Sequence, residues 1–475
     1  MRRLTILVAI CFAALWNAAA QDALDGAVWG IYARDLTGNV ITSRNENVRM
    51  VPASNLKLVT TGTALHAFGP GYRFRTGLGY TGSIGADGTL DGDLYIIGGG
   101  DPTIGSGDSL ALSADALFWK WKTILRDHGI ERIHGRIIGD SQAWEGGQEH
   151  IDWGFADMST YYGTGSGALC FYENAVDVEV WATAVGEPVG MRQVYPETPW
   201  MHISNQGVTG PAGSGNSLYL FTTDLAPYAQ MRGTYASDRR PKVEHTSNKY
   251  GDLTCAYYFW KNLKATGWEV SGGYARVDNA GCIAGPDFVP DGKAGKPVEI
   301  GFTEGPQLKD IVKITNFRSD NFYAESLLRA MGEASCGKAC YDSCLVAQSV
   351  VLKDLGADPA PVIIVDGSGL SRQNALTPKW LADYLCAMTR SEAFPAFLES
   401  IPAPGQGTLA GISFPGSAMV RMKSGSMGGV LCYSGYVLDA QGRPRIAFSA
   451  FAGNANAGTA RLREALIQKI RIFVD

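Results

Sequence analysis

The stretch Val51-Pro52-Ala53-Ser54-Asn55-Leu56-Lys57-Leu58-Val59-Thr60-Thr61 combines a helix start with two residues that can do chemistry. The proline and the apolar spacing predict a helix that runs to Phe68 and stops at Gly69-Pro70-Gly71. Ser54 and Lys57 are three residues apart, so their side chains are expected on one face of the first turn. A serine hydroxyl becomes a nucleophile when a base removes its proton, and a desolvated lysine is such a base.

This spacing is a weak signal by itself, because about one Ser-x-x-Lys is expected by chance in a chain of this composition. A second copy stands at Ser335–Lys338, after a predicted helix and without a proline-marked start. The competing interpretation of Ser54 and Lys57 is a capping serine followed by a solvated lysine. Only the rest of the chain decides between the two.

The first twenty residues have the pattern of a secretory signal peptide. Arg2-Arg3 form the charged start, Leu4 to Trp16 are apolar, and Ala18-Ala19-Ala20 form a small-residue cleavage site. Cys11 follows an isoleucine where a lipoprotein signal has a small residue, so lipid anchoring is not expected. No later apolar run is long enough to cross a bilayer. We therefore expect removal of residues 1–20 and a soluble, exported protein, periplasmic or otherwise, without a transmembrane span.

Charge and composition exclude one class of partner. The chain has 41 basic and 46 acidic side chains, and loss of Arg2 and Arg3 with the signal peptide leaves a net charge of −7. That balance argues against nucleic acid as a partner. With 475 residues, of which 45% are apolar, the chain is long enough for two or three domains.

Eight cysteines follow residue 20, and this even number permits disulfides in an exported protein without revealing their pairing. Cys336, Cys340 and Cys344 recur every four residues and are expected on one helix face. Three thiols could begin a metal site, but the six histidines show no ligand spacing near them. Buried thiols or disulfides to other segments are the favoured interpretations, and no metal or other cofactor is predicted.

The chain divides into three regions. Residues 21–72 combine a predicted hairpin with the Ser54 helix. Over residues 73–299 glycines are frequent and strands look short, which predicts one or two inserted β-rich domains. Residues 300–475 return to helices, with a buried strand predicted at Pro361–Val365, a strand predicted at Val420–Lys423, and a hairpin and a helix at the end.

Three short motifs stand in order, Ser54-x-x-Lys57, Ser319-Asp320-Asn321 and Lys423-Ser424-Gly425, at a helix start, an inter-helix turn and a strand end. Ser-x-Asn is common in this chain, whereas Lys-Ser/Thr-Gly occurs once. The ordered set is typical of penicillin-binding proteins and related β-lactamases, in which the third motif usually has threonine. Serine at position 424 keeps the hydroxyl of that threonine.

Nearly the whole mature chain resembles one branch of these proteins. They are exported, low-molecular-mass penicillin-binding proteins that act as D-alanyl-D-alanine carboxypeptidases and endopeptidases and have large insertions after the serine helix. The long gap between Lys57 and Ser319 suits this branch. Further landmarks are Pro52-Ala53-Ser54, Gly99-Gly100-Asp101-Pro102, Glu173-Asn174, Asp366-Gly367-Ser368-Gly369-Leu370 and Gly407-Thr408-Leu409.

The resemblance implies an α/β fold of the β-lactamase/transpeptidase type, an antiparallel sheet flanked by helices. Residues 21–72 and 300–475 would form this serine peptidase domain, and residues 73–299 would form the inserted β-rich domain or domains. The terminal hairpin, strands and helix need each other for burial, which supports one domain. The implied substrates are peptidoglycan stem peptides, and the implied inhibitors are β-lactam antibiotics.

The resemblance also implies a role for each motif residue. Ser54 would attack the carbonyl between two terminal D-alanines, and Lys57 would take its proton. A charged Lys423 would help to keep Lys57 neutral. Ser319 would pass a proton to the departing amine, and Asn321 would orient Lys57 and the substrate amide.

Substrate recognition would fall to the third motif and its neighbours. Lys423 and the hydroxyls of Ser424 and Ser426, with Gly425 between them, suit the terminal carboxylate of the substrate. Backbone N–H groups of Ser54 and Ser426 would form the oxyanion hole. Water would then hydrolyse the acyl-enzyme.

Two other functions remain open at this point. A serine β-lactamase would share the three motifs but needs an efficient deacylating base, and Glu244-x-x-x-Asn248 has a suggestive spacing in the wrong part of the chain. A wall-binding protein without activity could keep the same fold. The intact motif residues favour the peptidase over both.

Overall fold

The computed structural model describes residue 24, residues 26–337 and residues 339–474. The predicted signal peptide lies outside these residues, and so does Lys338 of the second Ser-x-x-Lys. No helix of the described part is both long and apolar enough to cross a membrane. The α-helices of that part are α1 (Leu56–Phe68), α2 (Ala114–Asp127), α3 (Gly251–Ala265), α4 (Leu308–Ile314), α5 (Asn321–Cys336), α6 (Tyr341–Asp354), α7 (Pro378–Met388), α8 (Phe394–Ser400) and α9 (Thr459–Arg471).

The strands of the described residues are numbered in chain order. They are β1 (Val28–Asp35), β2 (Val40–Arg44), β3 (Arg73–Tyr80), β4 (Ser83–Ile84), β5 (Thr89–Asp91), β6 (Leu94–Ile97), β7 (Arg132–Ile133), β8 (Ile137–Asp140), β9 (Ala175–Trp181), β10 (Gly190–Tyr195), β11 (His202–Asn205), β12 (Val208–Gly210), β13 (Tyr219–Thr223), β14 (Ala226–Arg232), β15 (Thr234–Ala236), β16 (Lys242–Ser247), β17 (Glu269–Val270), β18 (Tyr274–Val277), β19 (Cys282–Ala284), β20 (Pro290–Lys293), β21 (Val298–Gln307), β22 (Val420–Met427), β23 (Val430–Leu438) and β24 (Pro444–Gly453).

A five-stranded antiparallel sheet unites the two ends of the chain in the order β2-β1-β24-β23-β22. Every residue of β23 is buried, as expected for a central strand covered on both faces. Helix α9 covers one face through Leu462, Leu466 and Ile470, and α7 packs against β24 and β1 on the other. The predicted α/β class, an antiparallel sheet with helices on both faces, is confirmed.

Between α1 and α4 the chain builds several further sheets. A seven-stranded sheet has the order β20-β19-β18-β8-β6-β3-β21, and its edge strand β21 leads directly into α4. Smaller sheets of β9, β10 and β16 and of β11, β13 and β14 enclose a separate apolar cluster. The predicted boundary between residues 299 and 300 falls inside β21, which pairs with β3.

The apolar core runs without a break from the serine helix into this inserted region. One cluster of buried side chains contains Leu65 of α1 and Leu327 of α5 together with Trp121 of α2 and Phe259 of α3. The rings of Trp121 and Phe259 meet edge to face at 5.1 Å. Because burial of apolar area is the main stabilising term, this continuity holds the inserted region firmly against helices α1 and α5.

Two strand predictions need correction. Pro361–Val365 is not a buried strand, since Ile363 is 45% exposed and pairs only through an isolated bridge to Ala375. The amide of Val365 donates instead to the Asn374 side chain at 2.9 Å, so a polar side chain takes the position of a partner strand. The strand predicted at Val420–Lys423 continues to Met427, because residues 424–427 keep pairing with β23.

Candidate active site

Ser54 lies in a short 3-10 turn, Ala53–Asn55, that leads directly into α1. Ala53 has φ 45°, a left-handed conformation that a non-glycine residue adopts at a cost and that is often found at functional sites. The buried Asn55 side chain donates to the carbonyl of Cys432 in β23 at 3.2 Å and so ties this turn to the central sheet. The turn places Ser54 in the wall of a cleft of about 740 Å³.

Lys57 lies one turn further along and is completely buried. Its Nζ donates to Ser54 Oγ at 2.9 Å, to Asn321 Oδ1 at 2.6 Å and to the backbone carbonyl of Ser368 at 2.7 Å. Three acceptors match the three N–H groups of an ammonium ion. When the amine is neutral, it keeps the bonds to Asn321 and Ser368 and turns its lone pair to the Ser54 hydroxyl. The arrangement therefore suits removal of the Ser54 proton.

Electrostatics favours that neutral form. Burial lowers the pKa of Lys57 to about 8, against the opposing effect of the carboxylates of Glu325, Asp366 and Asp320. Lys423 is also completely buried, and burial followed by repulsion from Lys57 lowers its pKa well below the usual range. Desolvation is thus the main cause of the lowered pKa of both lysines. Repulsion between the two ammonium groups contributes to the pKa of Lys423.

The Ser-Asp-Asn motif stands at an irregular junction between α4 and α5. Helix α4 continues as a π-helical turn, Thr315–Ser319, which ends with Ser319 at φ 61°. Asp320 then caps α5, because its side chain accepts from the amide of Tyr323 at 3.0 Å. Asn321 is the first residue of α5, with its side chain directed at Lys57.

The third motif meets this junction from the edge of the central sheet. Lys423 Nζ donates to Ser319 Oγ at 2.8 Å and to its neighbour's carbonyl, that of Ser424, at 2.7 Å. The hydroxyls of Ser424 and Thr408 are 2.7 Å apart. Ser426 lines the cleft beside Ser54. Hydrogen bonds of Lys57 and Lys423 thus bring the three motifs together beside a cleft whose lining includes Ser54, Ser319, Asn321 and Ser426.

Gly425 explains how β22 comes so close to the serine turn. A Cβ atom at this position would lie 2.6 Å from the carbonyl oxygen of Pro52 and 2.8 Å from the amide nitrogen of Asn55. Real contacts to a Cβ are essentially never shorter than 3.0 Å, and neither of these backbone atoms is the end of a flexible side chain. The glycine thus permits the close approach of β22 to the serine turn. The sequence analysis places Gly425 among the substrate-binding residues, and the structure adds this steric role.

Two backbone carbonyls complete the site, and neither has a signal in the sequence. The Ser368 carbonyl reaches Lys57 because its loop is held from below by Glu325, which accepts from the amides of Gly367 at 3.0 Å and of Ser368 at 2.7 Å. Burial and then the charge of Asp366 raise the pKa of Glu325 to about 7. These contacts give a physical role to the Asp366–Leu370 landmark.

The second carbonyl is that of Tyr162, in the inserted region. It accepts from Asn321 Nδ2 at 2.8 Å, so the amide of Asn321 is fixed with its oxygen toward Lys57. The inserted region also supplies one wall of the cleft through Asp157, Tyr161, Tyr172, Glu173 and His245. Its part in the site is therefore direct.

The two alternative candidates from the sequence, Glu244 as a deacylating base and Ser335 of the second Ser-x-x-Lys, do not line this cleft. Glu244 pairs with Lys242 at 3.0 Å and accepts from Asn216 at 2.9 Å, and it does not line the Ser54 cleft. Ser335 of the second Ser-x-x-Lys is exposed near the end of α5. No disulfide joins any of the eight cysteines of the described residues, and in this part of the chain no group of three or more His, Cys, Asp or Glu side chains is placed to hold a metal ion.

Comparisons with known proteins agree with this geometry. The family described as D-Ala-D-Ala carboxypeptidase 3 (S13) matches residues 12–471. A D-alanyl-D-alanine carboxypeptidase of Actinomadura sp. (strain R39) is 30% identical over 468 residues, which cover 94% of this chain and 81% of that protein. The D-alanyl-D-alanine carboxypeptidase DacB of Haemophilus influenzae is 25% identical and covers 92% of this chain and 88% of its own.

Among solved structures, penicillin-binding protein 4 (dacB) of Haemophilus influenzae superposes with a TM-score of 0.76 at 24% identity. The match covers 92% of this chain and 93% of that one. The β-lactamase/transpeptidase-like fold with inserted domains that the sequence predicted is therefore confirmed.

Proposed function

The chain belongs to the D-Ala-D-Ala carboxypeptidase 3 (S13) family, and we propose that Ser54, Lys57, Ser319, Asn321 and Lys423 carry out its reaction. As a member, it is a serine-type D-alanyl-D-alanine carboxypeptidase that acts on peptidoglycan peptides through an acyl-enzyme. One observation supports the assignment above all others: the buried Nζ of Lys57 contacts both the hydroxyl of Ser54 and the amide of Asn321.

The reaction begins with transfer of the Ser54 proton to neutral Lys57 as Oγ attacks the carbonyl between the two terminal D-alanines. The developing oxyanion is received by the backbone N–H groups of Ser54 and Ser426. Ser426 belongs to β22, an edge strand whose outer side has no partner strand in the five-stranded sheet. A substrate can therefore align along that edge.

Departure of D-alanine needs a proton on its amine. Ser319 Oγ accepts a hydrogen bond from Lys423 Nζ, so its own hydrogen is free to pass to the departing amine. The proton that Lys57 took from Ser54 is passed to Lys423, and Lys423 returns a proton to the Ser319 oxygen, so both lysines end the acylation step in the state in which they began it. Water hydrolyses the ester at Ser54, which releases the shortened stem peptide and restores the hydroxyl.

Recognition of the terminal carboxylate falls to Lys423 and to the hydroxyls of Ser424 and Ser426. The Ser424 hydroxyl is already oriented by Thr408. The same groups accept the carboxylate of a penicillin, whose β-lactam carbonyl occupies the position of the peptide bond. We propose peptidoglycan stem peptides as substrates and β-lactams as acylating inhibitors on this basis.

Two further sequence predictions are retained as proposals. Export with cleavage after residue 20, to the periplasm or an equivalent compartment, is supported by the signal-peptide pattern. The division into a peptidase domain of residues 21–72 and 300–475 and an inserted part of residues 73–299 is supported by the central sheet, whose strands all come from the first two segments.

The test is covalent labelling with a fluorescent penicillin. Ser54→Ala is expected to abolish the label and the release of D-alanine from a stem pentapeptide, while the thermal unfolding transition is retained. Ser335→Ala is the matched control, because it removes the serine of the other Ser-x-x-Lys, and it should label normally. A labelled Ser54→Ala protein would overturn the assignment.

Mass analysis of digested, cross-linked peptidoglycan then separates the activities of this class. Release of D-alanine alone indicates a carboxypeptidase, and cleavage of the cross-bridges indicates an endopeptidase as well. Rapid turnover of a penicillin would instead indicate a β-lactamase.

A further inference from the structure

The Arg318 side chain, next to catalytic Ser319, is surrounded by three carboxylates. Its guanidinium contacts Asp108 at 2.6 Å, Glu173 at 3.0 Å and Asp320 at 2.8 Å. Asp320 belongs to the same motif as Ser319, whereas Asp108 and Glu173 belong to the inserted region. A planar fork of donors can serve several acceptors at fixed angles, which a lysine cannot do.

Arg318 and Asp320, the residues on either side of Ser319, form an ion pair at 2.8 Å. Ser319 has φ 61° and ends a π-helical turn, two conformations that a serine does not adopt without support. The hydrogen bond from Arg318 to one carboxylate oxygen of Asp320 joins the residues on either side of Ser319. The other Asp320 oxygen caps α5. The left-handed backbone of Ser319 is thus held from both sides, and its Oγ stays 2.8 Å from Lys423 Nζ.

The two carboxylates of the inserted region are themselves firmly placed. Asp108 accepts a short hydrogen bond from the Tyr323 hydroxyl, one turn into α5. Glu173 is the middle residue of Tyr172-Glu173-Asn174, in which all three residues have positive φ, between 50° and 54°. Asn174 secures this turn by donating to the side chain of Gln148 at 3.0 Å. A turn with three strained non-glycine residues needs such support.

We propose that Arg318, Asp108 and Glu173 are positioning residues through which the inserted region sets the conformation of Ser319. The inference rests on the proposed catalytic role of Ser319. The positioning residues raise the rate by keeping the Ser319 hydroxyl between Lys423 and the departing amine, and they take no part in proton transfer themselves. This gives a role to the Glu173-Asn174 landmark.

Charge supports the same assignment. Burial acts to lower the pKa of Arg318, but the carboxylates of Asp320, Glu173 and Asp108 together outweigh it and raise that pKa, so the guanidinium stays protonated. Burial and the nearby Asp320 raise the pKa of Glu173 well above its usual range. Glu173 is 3.0 Å from Arg318, so it contributes an acceptor at a fixed position.

The experiment measures the acylation rate constant with a penicillin, and kcat and KM with a stem pentapeptide, for Arg318→Gln, Ser319→Ala and the double variant. Arg318→Gln is expected to lower acylation and kcat about ten- to a hundredfold, as misplaced catalytic groups do, with little change in KM. Arg136→Gln is the matched control, because Arg136 also joins two carboxylates, Asp291 at 2.5 Å and Asp93 at 3.5 Å, away from the cleft. It should leave all three constants unchanged.

The double variant separates positioning from other roles. If Arg318 acts through Ser319, adding Arg318→Gln to Ser319→Ala should change the rates less than about twofold. A full additional loss in the double variant would overturn the proposal, since it would show that Arg318 contacts substrate or acts on the fold as a whole. Wild-type rates in Arg318→Gln would overturn it as well.

The single variants also separate the proposed catalytic role of Ser319 from the proposed positioning role of Arg318. Wild-type activity in Ser319→Ala would remove Ser319 from the proposed mechanism and the inference with it, whereas an inactive Ser319→Ala beside a fully active Arg318→Gln would remove the inference alone. If Arg318→Gln does not fold, Arg318→Lys takes its place: retention of charge without the fork should give a partial loss, and full activity would contradict the proposal.

Discussion

The side-chain amide of Asn321 donates a hydrogen bond to the backbone carbonyl of Tyr162 at 2.8 Å. Because an amide has a donor end and an acceptor end, this contact turns the Asn321 oxygen toward Lys57, whose Nζ is 2.6 Å away. The inserted region therefore fixes which end of the Asn321 amide contacts Lys57.

The acylation rate should follow the ionisation of Lys57. Burial lowers the pKa of Lys57 to about 8, so below that pH the ammonium form predominates and cannot take the Ser54 proton. We expect the rate to rise close to tenfold per pH unit up to about pH 8 and then to level off. Stopped-flow acylation by a penicillin across this range checks the prediction, and a rate independent of pH would contradict it.

Asn321→Asp should move that profile to higher pH. The substitution places a carboxylate next to Lys57, and an opposite charge favours the ammonium form and raises the pKa of the lysine. It also replaces the donor that faces the Tyr162 carbonyl by an oxygen. Acylation at neutral pH should therefore fall at least about tenfold and partly recover in alkaline buffer.

Asn321→Ala is the comparison for this prediction, because it removes the amide without adding a charge. Its acylation should also be slow, but alkaline buffer should not restore it. Equal pH profiles for the two variants would show that the amide polarity does not control Lys57.

Changes at Ser424 should separate recognition of the carboxylate from proton transfer. Ser424→Ala leaves Lys423 in place and removes one hydroxyl donor, and a hydrogen bond to a charged group contributes about 1.5–3 kcal/mol. Acylation by a carboxylate-bearing penicillin should fall about ten- to a hundredfold. Ser424→Thr keeps the hydroxyl on a strand that tolerates β-branching, so its rate should be near the wild-type value.

Lys423→Ala completes the comparison, since it removes the amine that donates to Ser319 Oγ. Its loss should exceed that of Ser424→Ala. If Ser424→Ala kept the wild-type rate while Ser424→Thr lost activity, the hydroxyl would not hold the carboxylate.

Gly425→Ala should damage the site without touching a reacting group. The added Cβ would lie 2.6 Å from the Pro52 carbonyl oxygen, so β22 must move away from the Ser54 turn. A shift of about 1 Å costs roughly a hundredfold in rate, and overpacking lowers stability by about 1–3 kcal/mol.

Gly71→Ala is the control, because a Cβ atom at Gly71 meets nothing within 4 Å. It should keep both the wild-type acylation rate and the wild-type unfolding transition. Wild-type acylation in Gly425→Ala would show that close approach of β22 is not required.

The sequence by itself determined the order and the chemistry of the motifs. Ser54, Lys57, Ser319, Asn321 and Lys423 could be proposed as reacting residues because each motif has a fixed local spacing and a recognisable position on a helix, turn or strand. The hairpin and helix at the chain end followed from period-2 and period-3.6 apolar patterns. Such signals are local, so one sequence is enough to read them.

Only the tertiary structure decided what surrounds those residues. The carbonyls of Tyr162 and Ser368 have no sequence signature, since every residue carries one, and they act only because remote segments deliver them to Asn321 and Lys57. Burial by remote segments likewise separates Lys57, with its lowered pKa, from an ordinary lysine. Desolvation and backbone contacts depend on which distant parts of the chain meet, and local patterns do not encode that.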